Sequence, residues 1–192
     1  RGDAALIARC GLIVGSGDLS ERFGYWPARF AEAAADAGPV LVPERSDRPV
    51  QWIDVSDLAA WLLSAGLSGV TGAHDVVGET VPLQTVLDEA ATVAGFRGEV
   101  VRAGDDALAA AGVAEFMGPR SLPLWLADRD WRAFMDRRGS SAVAAGLRVR
   151  PLRATVADAL AWERQLGLGR NRMKAGLNRA EERDVIETVR SR

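Results

Sequence analysis

The side chains able to do covalent or proton-transfer chemistry are scarce in this chain. It has one lysine (Lys174), one histidine (His74), one tyrosine (Tyr25) and one cysteine (Cys10), against 23 arginines. Tyr25-Trp26-Pro27-Ala28-Arg29 spaces a phenol and a cation four residues apart, as a proton-transfer pair would. Arginine cannot reproduce a lysine that lowers the tyrosine's pKa, and Pro27 interrupts the helix that must align them. No catalytic residue is therefore expected here. Lys174 stands in Met173-Lys174-Ala175-Gly176, which fails the phosphate-loop pattern. A zinc site needs a His and Cys cluster that this composition cannot assemble, so no metal is expected. Gly15-Ser16-Gly17 has the wrong spacing for a nucleophile elbow that His74 could serve.

The bulk numbers narrow the partners. A length of 192 residues suits one domain or one and a half, with enough chain for a substantial core. A net charge of -2 argues against nucleic acid and against an anionic membrane surface. The arginine and alanine richness fits a GC-rich coding sequence and carries no functional weight. A lone cysteine makes no internal disulfide, and a reducing, cytoplasmic setting is expected. With neither a long apolar run nor a basic-then-apolar leader, no membrane span or signal peptide is expected.

Alternating elements must position these residues. Ala4 to Val14 is mostly apolar and ends in glycines, predicting a strand buried on both faces. After a loop from Gly15 to Ser20, residues 22–37 carry apolar side chains at helical spacing, with Pro27 near the start and Gly38-Pro39 as the stop. Strands are predicted over 40–42, 50–55, 73–77 and 99–102. Helices are predicted over 57–65 (capped by Ser56 or Asp57), from Pro82 to Ala94, over 105–111, and from Thr155 to Arg164. Residues 121–145 read as mainly helical. Asn178-x-x-Glu181 opens a charged terminal helix, its arginines balanced by acids, that reads as solvated.

Two segments carry a resemblance. Arg9-Cys10-Gly11-Leu12-Ile13-Val14-Gly15-Ser16-Gly17-Asp18 and Val50-Gln51-Trp52-Ile53-Asp54-Val55-Ser56-Asp57-Leu58-Ala59 are similar to the second half of an extended short-chain dehydrogenase/reductase, the NAD-dependent epimerase/dehydratase group. The resemblance covers roughly residues 4–165. It implies an α/β fold: the last strands of a Rossmann-like parallel sheet over 1–78, a smaller helix-rich substrate lobe over 79–166, and a charged tail helix over 167–192. Arg9, Ile13 and Gly15 match the family's Arg-x-x-x-Ile-x-Gly strand. By position, Cys10 and Gly11 would lie near the nicotinamide and Leu12 would face the substrate. A plain core strand is the alternative.

The resemblance further places Asp18, Arg22, Tyr25 and Trp26 at the roof of a substrate cleft. The other reading is a helix start capped by Ser20, with Phe23 and Trp26 packed inside. Val50 stands where sugar-nucleotide enzymes place a diphosphate-gripping arginine, and Arg48, two residues away on the same face, could partly substitute. Asp57 reads as a structural cap, His74 as a strand residue, the six tryptophans as packing, and Arg148 and Arg150 as surface.

In that family the Gly-rich cofactor loop and the catalytic Tyr-x-x-x-Lys precede these segments, and this chain contains neither. The expectation is the substrate-lobe portion of an NAD- or NADP-dependent oxidoreductase acting on a small organic carbonyl or alcohol, inactive alone. The missing half would come from upstream sequence or a partner chain recruited by an open sheet edge. A nucleotide-sugar epimerase or dehydratase, and a non-catalytic ligand-sensing relative, remain open.

Overall fold

The computed structural model describes residues 4–191. The opening extended segment breaks at Gly11 into β1 (Leu6–Cys10) and β2 (Leu12–Val14). There follow α1 (Tyr25–Asp36), β3 (Val40–Pro43), β4 (Pro49–Val50), β5 (Trp52–Asp54), α2 (Val55–Leu67), β6 (Gly72–Val76), β7 (Val81–Pro82) and α3 (Leu83–Ala94). The second half holds β8 (Val100–Ala103), α4 (Asp105–Ala110), β9 (Ala114–Phe116), β10 (Gly118–Pro119) and β11 (Ser121–Pro123). A 3₁₀ segment (Arg129–Met135), α5 (Ser140–Ala144), α6 (Leu152–Leu166), β12 (Ala175–Gly176) and α7 (Arg179–Arg190) complete it.

The pairing is mostly parallel: β1 with β6, β2 with β5, β3 with β8, β9 with β11 and β10 with β12, while β4 and β7 run antiparallel. Parallel strands joined through helices make an α/β fold of Rossmann-like character. At the break, the Gly11 amide donates to Val76 O at 3.2 Å. A Cβ at Gly11 would stand 2.8 Å from Val77 Cγ1, so a larger residue would have to push the Val77 side chain aside.

Local signals explain most element ends. Pro27 falls in the first turn of α1, where its missing N–H costs no intrahelical bond, and Ala37 closes the helix in the left-handed region. Pro82 caps α3, and Gly95 ends it at φ 71°. Asn178 and Glu181 form the expected reciprocal capping box of α7. The main core cluster draws Phe23, Trp26 and Phe30 from around α1, Leu41 from β3, Leu83 and Leu87 from α3, Val156 from α6 and Val185 from α7. A smaller cluster packs Ile53, Leu58 and Trp61 against Ala142 and Leu147.

Several expectations are corrected. The first strand is not buried on both faces: burial alternates, and Ile7 is 54% and Ile13 40% exposed, so one face lacks a cover among the described residues. Residues 121–123 are a strand rather than helix, and 129–135 are 3₁₀. Arg120 (φ 50°) and Leu124 (φ 66°) adopt left-handed backbone at both ends of β11, which breaks any helix there. The cap of α2 is Asp54, whose carboxylate accepts from the Ser56 amide, rather than Ser56 or Asp57. α6 starts three residues before Thr155. Helix α7 is not wholly solvated, since it buries Glu182, Val185 and Ile186.

Candidate functional site

Three adjoining cavities form one cleft. The first, about 170 Å³, is lined by Cys10, Gly11, Leu12, Arg22, Gln51, Phe116, Phe134, Met135 and Arg137. It shares Phe116 and Phe134 with a second of about 410 Å³. That one shares Leu126, Asp128 and Trp131 with a third of about 490 Å³, which reaches Arg45 and Arg48. The floor at one end is thus the β1–β2 break, and the far end carries both charges, Arg45 and Arg48 beside Asp47 and Asp128.

The wall between them is aromatic. Phe116 meets Phe134 edge-on with centroids 5.8 Å apart, and Phe134 meets Trp131 at 6.1 Å. The Arg22 guanidinium lies 4.9 Å from the Phe116 ring centroid, a cation–π distance. Phe116 itself adopts φ 63°, rare for a bulky residue, and its amide is held by Trp125 O at 3.0 Å. Such strain persists only where the surroundings over-determine it, and it gathers at ligand sites.

Arg137 and Gln51 hold the segment after the 3₁₀ turn to the strand ends. Arg137 donates to Cys10 O and Arg9 O, each at 3.1 Å, and pairs with Asp75. The buried Gln51 side chain donates to Gly78 O, Thr80 Oγ1 and Arg137 O, and accepts from the Arg137 amide at 3.0 Å. Burial pushes the Cys10 thiol up, with the Arg137 charge working the other way, so the thiol is protonated at neutral pH. Burial lowers the Arg22 pKa while Asp18 opposes it. Arg22 Nε and Arg48 Nε are buried without a partner, leaving donors to spare. Two of the carboxylates in the wall are committed, Glu115 accepting from the Ala127 amide and Asp128 from the Asp130 amide, while Asp47 also lines it. Among the described lining residues there is no histidine, lysine or tyrosine, so this cleft holds and orients more readily than it moves protons.

Of the residues singled out from sequence, Cys10, Gly11, Leu12, Arg22 and Arg48 meet along the cleft. Arg48 also pairs with Asp105 at 3.6 Å. Asp18 sits in the preceding loop, one carboxylate oxygen accepting from the Ser20 amide at 2.7 Å and the other without a partner. Two expectations are corrected. Trp26 is fully buried, donating Nε1–H to Pro123 O at 2.9 Å, and so supports the cleft from the core rather than lining it. Tyr25 is also buried and faces a different cavity. The packed-helix alternative therefore describes Phe23 and Trp26, though Ser20 does not cap α1.

Val50 is buried in β4 while Arg48 reaches the cleft. His74 lies on β6, half-buried, its ring edge-on to Trp61 at 5.8 Å. Arg150 is not surface decoration. It donates to Asp57 and Asp158 at 2.9 and 2.8 Å and lies 3.6 Å from Asp54, which accepts from Thr155 Oγ1. Phe116, Phe134 and Arg137 carry no sequence signal, and only the fold brings them to Gln51, which the resembling segment contains without marking a role for it.

No family model matches the chain, and no curated protein sequence matches it. Solved structures do. RMD from Pseudomonas aeruginosa, complexed with NADPH, is 15% identical with a TM-score of 0.57, covering 84% of this chain and 49% of that one. A GDP-L-fucose synthetase from Naegleria fowleri bound to NADP is 9% identical with a TM-score of 0.58, covering 83% and 44%. A UDP-glucuronic acid 4-epimerase from Bacillus cereus in complex with NAD is 11% identical with a TM-score of 0.56, covering 85% and 46%. At such identities the likeness is one of fold. The chain spans about half the length of these structures, and its fold is the α/β, Rossmann-like fold they share. Among the described residues no helix is long and apolar enough to cross a membrane.

Proposed function

We propose that this chain is the substrate-side portion of an NAD(P)-dependent oxidoreductase acting on a small organic carbonyl or alcohol. The observation that supports the reading is the row of three cavities, adjoining through shared lining residues, that runs from Cys10 and Gly11 at the strand break to Arg48. In open α/β sheets ligands bind beyond the carboxyl ends of the strands, where β1 delivers Cys10. A nicotinamide cofactor supplies hydride transfer when bound. The residues fit its ring edge: a narrow apolar floor, an aromatic wall, and strand carbonyls already shielded by Arg137. They offer no cradle for its phosphates, which fits the absence of a Gly-rich loop from this sequence. Arg22 then orients the substrate's carbonyl or hydroxyl oxygen, and Arg48 attracts an anionic tail. The proton-transfer residues come from further polypeptide, upstream or on a partner chain, whose docking the exposed Ile7 and Ile13 support.

The test is NAD(P)H binding by this chain and by a version extended upstream. The extended form should bind at least a hundredfold more tightly, and equal tight binding by both would refute the reading. A nucleotide-sugar substrate is the second reading, favoured by Arg45 and Arg48 flanking one cavity with Trp131. Arg48→Ala separates them: it should weaken a nucleotide-sugar by about tenfold or more and a neutral carbonyl compound hardly at all.

A further inference from the structure

Helix α1 presents two buried polar side chains, one turn apart, to the C-terminal segment: Tyr25 and Arg29, 1% and 3% exposed. Arg29 donates through Nε to Glu182 Oε2 and through Nη2 to Pro39 O, both at 2.6 Å, but its Nη1 has no partner. Tyr25 Oη is approached by the Leu177 amide as donor, but its own O–H has no acceptor. Both side chains line a cavity of about 360 Å³ closed by residues 169–172 and the first turn of α7. Buried polar groups in folded proteins are nearly always satisfied, so two open donors in one cavity call for an acceptor.

The rest of the wall agrees. Glu32 is its one carboxylate, and Oε1 already accepts from the Gly169 amide at 2.6 Å. The Asn178 carbonyl oxygen is committed to the Ala180 and Glu181 amides. Burial, and then the Glu182 charge, push the Tyr25 phenol well above its usual range, so it stays neutral and can donate. Arg29, Arg170, Arg172 and Arg179 each hold a carboxylate, whereas Arg183, exposed at the mouth, has no ion pair among the described residues.

We propose that this cavity binds a small oxyanion, a phosphate or carboxylate group, whose oxygens accept from Tyr25 Oη and Arg29 Nη1 while Arg183 supplies the balancing charge. It shares no lining residue with the cleft described above, so it is a second site rather than an extension of the first. Its volume lies near the lower end of small-molecule pockets, which span about 300–1,000 Å³.

The 192-residue chain is titrated calorimetrically with inorganic phosphate and, separately, with acetate, at ionic strength held constant with chloride. Saturable binding of at least one is expected, with Tyr25→Phe and Arg183→Gln each weakening it about tenfold while circular dichroism stays unchanged. Saturation by phosphate alone assigns a phosphoryl group, and by acetate alone a carboxylate; either supports the site. Absence of saturable binding by folded chain, or binding that both variants leave untouched, overturns it.

Discussion

Gln51 does more positioning than any other single side chain around the cleft. Its amide meets two carbonyls and a hydroxyl as donor and the Arg137 amide as acceptor, all in a buried setting. Gln51→Leu keeps the volume but strands those groups, each worth about 1–3 kcal/mol when left unmet. We expect a net loss of about 2 kcal/mol in urea denaturation, with faster amide exchange over residues 129–138. In contrast, Leu83→Ala acts through a cavity in the main cluster, at a cost of about 2–5 kcal/mol without a local change in exchange. The pair tells a tether from a packing residue.

At the scale of elements, the C-terminal segment is tied to the loop before α1 by Glu21. This carboxylate accepts from the Met173 and Lys174 amides at 2.9 and 2.7 Å and pairs with Arg170. Burial acts to raise its pKa, but these amides and the Arg170 charge outweigh it, and the pKa falls below the usual range. The folded state therefore holds fewer protons on Glu21 than the unfolded chain does near pH 4. Its stabilisation is complete above the ordinary value of about 4.3 and is lost as pH falls through the lowered one. Glu182 has the opposite sign, its pKa raised chiefly by burial, so Glu21→Gln is needed to isolate the effect. That variant should lose more stability at pH 7 than at pH 3.5 in thermal unfolding. A loss equal at both pH values would show that the contact is not electrostatic.

The elements most legible in the sequence were those with local punctuation: α1 with Pro27 and Gly38-Pro39, α3 between Pro82 and Gly95, α7 with Asn178 and Glu181. Residues 121–135 were not, because Leu122 is buried within the paired strand β11, and Leu124 and Trp125 just beyond it, rather than along a helical stripe. The site followed the same rule. Residues adjacent in sequence to the strand break, from Cys10 to Leu12, were readable. The aromatic wall and Arg137 were not, since nothing in their own neighbourhoods announces them.

For the whole molecule, the exposed side chains of β1 and β2 make a testable surface for association. Ile7 on β1 and Ile13 on β2 are both exposed, and the described pairing of β1 is with β6 alone and of β2 with β5 alone. Apolar surface at a strand without a second neighbour invites pairing with another chain. Ile7→Lys should lower self-association of this chain in sedimentation velocity while leaving its melting temperature within a few degrees. Unchanged association would mean that the face is inert.

Gly11 limits what this cleft can become. With a Val77 methyl 2.8 Å from where a β-carbon would stand, any replacement at residue 11 must displace that side chain. Libraries built to retune ligand preference should find their gains in randomised Cys10 and Leu12, and recover chiefly the parental residue between them.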